Sequence, residues 1–184
     1  MNILLAVTGS VAAIRAPQLA SSLASLGTVR AALTSAAVHF LERSEEAWPK
    51  EVEKLFDAAE WKAWNRLGDP VIHIELRKWA DVLVVAPATA DFIAKAASGF
   101  ADNLVLSVCR AWDFAKPLFI APAMNTMMWE HPITYRHVTT LQGWGARIVE
   151  PISKELACGD VGMGGMADVD AITSAVRTAL TQGR

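Results

Sequence analysis

The strongest constraint on this chain is a set of five short aliphatic and β-branched runs separated by stretches of helical periodicity. The runs occupy residues 3–7, 29–33, 82–86, 118–121 and 147–149. They read as strands buried on both faces, because helices that cross between parallel strands cover a sheet above and below. Behind the first run, Val11, Ile14, Leu19, Leu23 and Leu26 recur at near-helical spacing. Gly27 stands where a glycine commonly ends such a helix. Near the other end, Ile172, Val176 and Leu180 follow one another in steps of four. This alternation predicts a parallel α/β sheet. With 184 residues and no repeat, linker or low-complexity tract, the expectation is one doubly wound domain over residues 1–184.

Composition narrows the function class. A net charge of -2 with scattered basic residues, the densest pair being Arg77-Lys78, leaves no footprint for nucleic acid or an anionic membrane. The first apolar run is too short to span a bilayer and lacks a basic flank and cleavage site. Gly9-Ser10 interrupts it, which suits a strand better than a signal peptide. Two isolated cysteines, Cys109 and Cys158, fit a reducing compartment, and no Cys/His cluster suggests a metal. The expected address is cytoplasmic. The 53% hydrophobic content is slightly high, which fits buried strands and oligomer surface equally. Between residues 42 and 68, Trp48, Trp61 and Trp64 stand among charged residues; satellite packing and a subunit interface are both open readings.

Three strand ends carry small and polar residues. The first is Thr8-Gly9-Ser10-Val11, where a glycine lets backbone amides approach an anion at a helix start. Alone, it reads equally well as a tight turn. Pro87-Ala88-Thr89-Ala90-Asp91 and Ala121-Pro122-Ala123-Met124-Asn125 repeat the pattern, and their convergence on one sheet edge predicts a mononucleotide crevice. Asp69-Pro70-Val71-Ile72-His73 reads as a helix start with Asp69 as N-cap and Pro70 in the first turn. That position disfavours imidazolium, so His73 is either a base or a satisfied structural histidine. His39, His131 and His137 have no comparable setting. Cys158 lies within a four-glycine stretch, 156–165, that reads either as a lid carrying a proton-donating thiol or as a loop with an incidental cysteine. Cys109 reads as a small core residue.

Pro122-Ala123-Met124-Asn125-Thr126-Met127-Met128-Trp129 resembles the PxMNxxMW signature of the flavin-dependent cysteine decarboxylases. The resemblance extends from Leu4 to about Ala175 and is greatest to the phosphopantothenoylcysteine decarboxylases of eukaryotic halotolerance type. It includes Gly9 to Ile14, Gly68 to Leu76, Asp102-Asn103-Leu104 and Ala157-Cys158-Gly159-Asp160. It implies a flavodoxin-like fold, FMN as cofactor, and a homotrimer with the flavin between neighbouring subunits. It further implies that His73 is the base, that Asn125 and Met128 contact substrate, and that Cys158 on a covering flap donates a proton. Gly9, Ser10, Val11, Thr34, Ser35, Thr89, Ala90, Asp91, Phe92 and Ala123 fall at flavin-contacting positions.

One departure stands out. The family's PxSANT becomes Pro87-Ala88-Thr89-Ala90-Asp91-Phe92, exchanging an amide for a carboxylate and a hydroxyl for an aromatic ring. A capping acid at Asp91 is tolerable, whereas a carboxylate facing the flavin phosphate weakens binding. The reaction implied is decarboxylation of 4'-phosphopantothenoyl-L-cysteine to 4'-phosphopantetheine for coenzyme A synthesis. The alternative is a non-catalytic regulatory subunit that inhibits a protein phosphatase, as some halotolerance-type relatives do. His73, Asn125 and Cys158 together in one chain, and a C-terminus that is not acidic, favour catalysis. A peptidyl-cysteine decarboxylase would leave Cys158 without a task, and a plain flavin electron carrier would leave both Asn125 and Cys158 idle.

Overall fold

The computed structural model describes residues 1–156 and 159–182, the last by its backbone alone. Its strands are β1 (Asn2–Val7), β2 (Thr28–Leu33), β3 (Glu53–Phe56), β4 (Val82–Ala88), β5 (Leu118–Pro122), β6 (Arg147–Ile148), β7 (Ile152–Glu155) and β8 (Val161–Gly165). A 3-10 helix, Val11–Arg15, runs into α1 (Ala16–Ala24). The other helices are α2 (Ser35–Leu41), α3 (Asp57–Ala63), α4 (Ile72–Trp79), α5 (Ala90–Ala97), α6 (Leu104–Arg110), α7 (Thr126–Trp129), α8 (Pro132–Gly143) and α9 (Val169–Gln182).

Six strands form one parallel sheet in the order β3-β2-β1-β4-β5-β6. Without the edge strand β3, the remaining order is that of flavodoxin-like sheets. The chain winds outward from β1 through β2 and β3, then from β4 through β5 and β6, so the switch point lies between β1 and β4. Side chains alternate between two cores. Ile3, Leu5, Val7, Val82 and Val84 pack with Leu19 and Leu23 of α1 and with Ile172 and Val176 of α9. Leu4, Ala6, Leu83 and Val85 pack with Leu76 of α4, Ile93 of α5, Leu106 of α6 and Leu141 of α8. Each large aliphatic side chain so buried contributes about 1.5–3 kcal/mol relative to exposure. Cys109 is one of these core residues, and burial pushes its thiol up to about 11, which keeps it protonated and inert.

Strands form at all five expected runs, with three more among the described residues, but the 147–149 run is not buried on both faces: β6 is a two-residue edge strand, exposed at Arg147 and half-buried at Ile148. Strand β3, Glu-Lys-Leu-Phe, is a largely exposed edge strand with no apolar run to announce it. β7 and β8 pair antiparallel, so much of the stretch read as a loop is a hairpin, with Gly164 at φ 133. Trp48 packs against the first core, while Trp61 and Trp64 are exposed.

Two local readings need correction. Gly27 is not a left-handed helix cap: α1 closes on Ser25 in the right-handed region, and Gly27 is absent from the positive-φ glycines. It is required by close approach, because a Cβ there would lie 2.3 Å from the Met1 carbonyl oxygen. Asp69 does not cap α4, whose N-cap is Val71 with no side-chain bond. The Asp69 carboxylate instead accepts from the backbone N–H groups of Asn65 and Arg66, each at 2.9 Å, closing the preceding turn. The helix therefore starts later than Asp69-Pro70 suggests, and His73 is its second residue.

The switch point is tied together by one buried side chain. Thr8, 3% exposed, donates its hydroxyl to the Pro87 carbonyl at 2.8 Å and accepts from the Thr89 N–H at 3.0 Å. Its own N–H also donates to the Pro87 carbonyl at 3.2 Å. Thr8→Val keeps the shape but strips the Thr89 N–H of its partner. It is expected to cost about 1–3 kcal/mol in urea unfolding, the penalty of a buried polar group left unpaired. A loss under a few tenths of that would mean solvent reaches this junction.

Candidate active site

The carboxyl ends of β1, β2, β4 and β5 surround a cavity of about 600 Å³, within the range of cofactor sites. Gly9, Ser10 and Val11 line it from the first turn, Thr34 and Ser35 from the second, Thr89, Ala90, Asp91 and Phe92 from the third, and Ala123 from the fourth. Thus all ten residues expected at a cofactor line a single space, and Met128 borders it too. Its chemistry is rich in donors. Ser10, Thr34 and Thr89 each accept from a backbone N–H two or three residues on, at 3.3, 3.2 and 3.1 Å. With the hydroxyl oxygen engaged in the cap, its hydrogen and the first N–H groups of the segment remain for a ligand. Gly9 brings two of these walls together: a Cβ at this position would stand 2.3 Å from the Ala36 Cβ.

The two departures at the β4 end have separate explanations. Asp91 is mostly exposed and pairs with Lys95 one turn along α5, Oδ2 to Nζ at 3.3 Å. Lys95 also reaches Asp102 at 3.0 Å. Its ammonium is held above the usual lysine value, first by the hydrogen bond to Asp102 and then by the bond to Asp91 and its charge. The added carboxylate therefore meets a cation on its own helix. Phe92 buries its ring in the second core, forming cavity wall without adding a polar group.

A second cavity of about 530 Å³ shares Ser10, Val11, Ala123 and Met124 with the first and continues to Asn125, Arg15 and the β7–β8 hairpin. Asn125 caps α7, its Oδ1 accepting from the Met127 N–H at 2.8 Å. That bond fixes the amide so that Nδ2 faces away as a donor. In this structure Nδ2 donates to the Asp160 carboxylate at 2.5 Å, so the amide meets an anionic oxygen where a substrate carboxylate is expected. Gly164 holds the hairpin close: Met124 N–H donates to its carbonyl at 2.9 Å. A Cβ at Gly164 would stand 2.4 Å from the Met124 carbonyl oxygen. Cys158 falls in sequence between β7 and β8 and lies outside the described residues.

His73 lines neither cavity. It is the second residue of α4, and its imidazole meets Glu60 of α3, Nδ1 to Oε1 at 2.5 Å, while its backbone N–H donates to Oε2 at 3.1 Å. Within one chain the structure thus brings Met128 to the cofactor-sized cavity and Asn125 to the adjoining one, and leaves His73 outside both.

The family model described as Flavoprotein matches residues 1–181. The chain belongs to the flavoprotein family. Among curated relatives of this flavoprotein, the phosphopantothenoylcysteine decarboxylase of Arabidopsis thaliana is 50% identical over 176 residues, which cover 96% of this chain and 83% of that protein. Among solved structures, a cysteine-to-serine variant of PPC decarboxylase complexed with pantothenoylaminoethenethiol superposes with a TM-score of 0.93. It is 47% identical and covers 98% of each chain. The FMN binding protein AtHal3 gives a TM-score of 0.91 at 47% identity, over 98% of this chain and 97% of that one.

Sequence reasoning passed over two side chains of this flavoprotein that the geometry singles out. Thr8 stood inside the first motif, but only the β1–β4 adjacency shows what its hydroxyl joins. Glu60 sits in a charged helix with nothing in its spacing to tie it to His73, thirteen residues away. Gly9→Val would drive its side chain into Ala36, forcing apart the turn and the start of α2. The variant is expected to purify with at least about tenfold less flavin per polypeptide, because the polar groups no longer converge. Full flavin absorbance in the variant would mean that the turn gives way freely.

Proposed function

We infer that this flavoprotein decarboxylates 4'-phosphopantothenoyl-L-cysteine to 4'-phosphopantetheine, the step that supplies the thiol arm of coenzyme A. The observation that carries the reading is the continuity of the two cavities: donors converge on one, and Asn125 offers its amide to a carboxylate in the next. The residues fit FMN. Capped turns at Ser10, Thr34 and Thr89 suit its phosphate, and the apolar wall of Phe92, Ala123 and Met128 suits a flat ring.

A cysteinyl carboxylate does not lose CO2 readily, because the carbanion left behind has nowhere to delocalise. Bound FMN supplies an acceptor, and later a donor, of the two electrons and hydrogen at the carbon bearing sulfur. His73 takes the proton released from the thiol as CH2–SH becomes a thioaldehyde. Asn125 Nδ2 holds the carboxylate, and Met128 packs beside it. Loss of CO2 then places the charge on sulfur as an enethiolate, and Cys158 returns a proton to carbon in the reductive half. The net change is redox-neutral, so no external nicotinamide is needed. Purified protein given this substrate should return a product lighter by one CO2. Further loss of two hydrogens would mean the reductive half is missing, and unchanged substrate would overturn the assignment.

The same reading assigns the active unit to a homotrimer with each site shared between neighbours. Two unlike apolar patches support this. Phe56, Trp61, Trp64, Leu67 and Val71 are exposed around the His73 end, and Val11, Ile14, Met127 and Met128 around the cavity mouth. Unlike patches that pair head to tail close into a ring. A reducing, cytoplasmic setting agrees with the free buried thiol of Cys109. Among the described residues no helix is long and apolar enough to cross a membrane. The shared site is tested by unfolding inactive His73→Asn and Asn125→Ala proteins together and refolding them in equal amounts. About a quarter of the interfaces should then pair an intact His73 with an intact Asn125 and recover activity. Mixed trimers without activity would place both residues of a working site in one chain.

A further inference from the structure

We propose that Glu60 is a positioning residue for His73, holding the imidazole in the one tautomer that lets it act as a base; the inference rests on His73 being the base proposed above. Both side chains are mostly shielded, 18% exposed for Glu60 and 27% for His73. The carboxylate makes two contacts with the same residue. Oε2 accepts from the His73 backbone N–H at 3.1 Å, and Oε1 meets Nδ1 at 2.5 Å.

The two contacts do different things. Helix α4 has no side-chain cap of its own, so Oε2 satisfies a backbone donor at its start from another helix. This is a structural task. The Oε1 contact is not explained by it. An ionised carboxylate can only accept, so Nδ1 must carry the hydrogen, and the neutral ring then has its lone pair on Nε2. Nε2 is the nitrogen farther from the backbone, the one able to reach a thiol proton in a neighbouring subunit's cavity. Helix α3, which carries Glu60, has no buried residue of its own. Packing therefore gives Glu60 little reason to stand at this spot, while the pairing with His73 does.

Glu60→Gln separates the two tasks. A backbone N–H is always a donor, so the amide oxygen is pinned to the His73 N–H and the cap survives. The amide NH2 then faces Nδ1 and demands its lone pair, which places the hydrogen on Nε2. The FMN-loaded variant should keep its flavin, its melting temperature and its KM. The rate of flavin reduction by substrate should fall about a hundred- to ten-thousand-fold, as when an orienting carboxylate behind a histidine base becomes an amide. Adding Glu60→Gln to His73→Asn should cost nothing further, because the two residues act as a unit.

Three controls keep the outcomes apart. Normal flavin reduction in Glu60→Gln beside a dead His73→Asn would overturn this inference and leave the base assignment standing. Normal reduction in His73→Asn would overturn the base assignment, and this inference with it. Should the Gln variant fail to fold, nitrogen-15 spectra of histidine-labelled holoprotein, at a pH where the ring is neutral, report the tautomer directly. With His73→Asn used to assign the signal, protonated Nδ1 is the expected result, and protonated Nε2 overturns the proposal.

Discussion

Everything at the carboxyl edge depends on how β1 and β4 are joined. In a doubly wound sheet these neighbours send their following segments away from each other, which opens a crevice but also weakens its floor. Thr8 closes that floor by donating to Pro87 and accepting from Thr89. Because Thr89 is also the N-cap of α5, the same short chain of bonds sets the height at which that helix begins. Gly9, the next residue along the chain, allows the 3-10 turn to nestle against Ala36 at the start of α2. The positions of three capped turns are thus linked through two adjacent residues, one chosen for its hydroxyl and one for its lack of a side chain.

How much of this was legible in the sequence follows from how local each signal is. The four central strands declared themselves because burial on both faces demands apolar runs, and the lining of the crevice followed because strand ends in such a sheet must converge. Strand β3 and the β7–β8 hairpin did not, since an exposed edge and a glycine-rich ribbon carry no periodic signature. The Asp69-Pro70 pair misled by two residues: its carboxylate had a nearer claim on the N–H groups of Asn65 and Arg66. Gly27 misled because close approach to Met1 and left-handed dihedrals call for the same residue. Contacts between residues far apart or in unrelated helices, such as Thr8 with Pro87 and Glu60 with His73, had no local trace.

The two halves of the site differ in what holds them. The crevice is built on strand ends and inherits the rigidity of the sheet. Asn125 is held nearly as firmly, by its cap on α7 and by the hairpin hydrogen-bonded to Met124. His73 instead begins a helix that has no cap from its own segment and leans on the exposed helix α3. Trp61 and Trp64 of the neighbouring stretch are exposed as well.

Charge raises a last question, since a chain of net charge -2 must take up an anionic cofactor and an anionic substrate. Four carboxylates near the site are engaged by donors of the chain itself. Asp91 pairs with Lys95, and Asp57 accepts from the Leu104 N–H and the Ser35 hydroxyl. Glu60 is spent on His73, and Asp160 accepts from Asn125. Lys95 and Ser35 also line the cofactor-sized cavity, so each stands between a carboxylate of the chain and the space an anionic ligand would fill. Asp160 accepts from the amide proposed above to hold the substrate carboxylate, so the two carboxylates compete for one donor. Like-charge repulsion sharpens that competition, since two carboxylates cannot share the donor without cost.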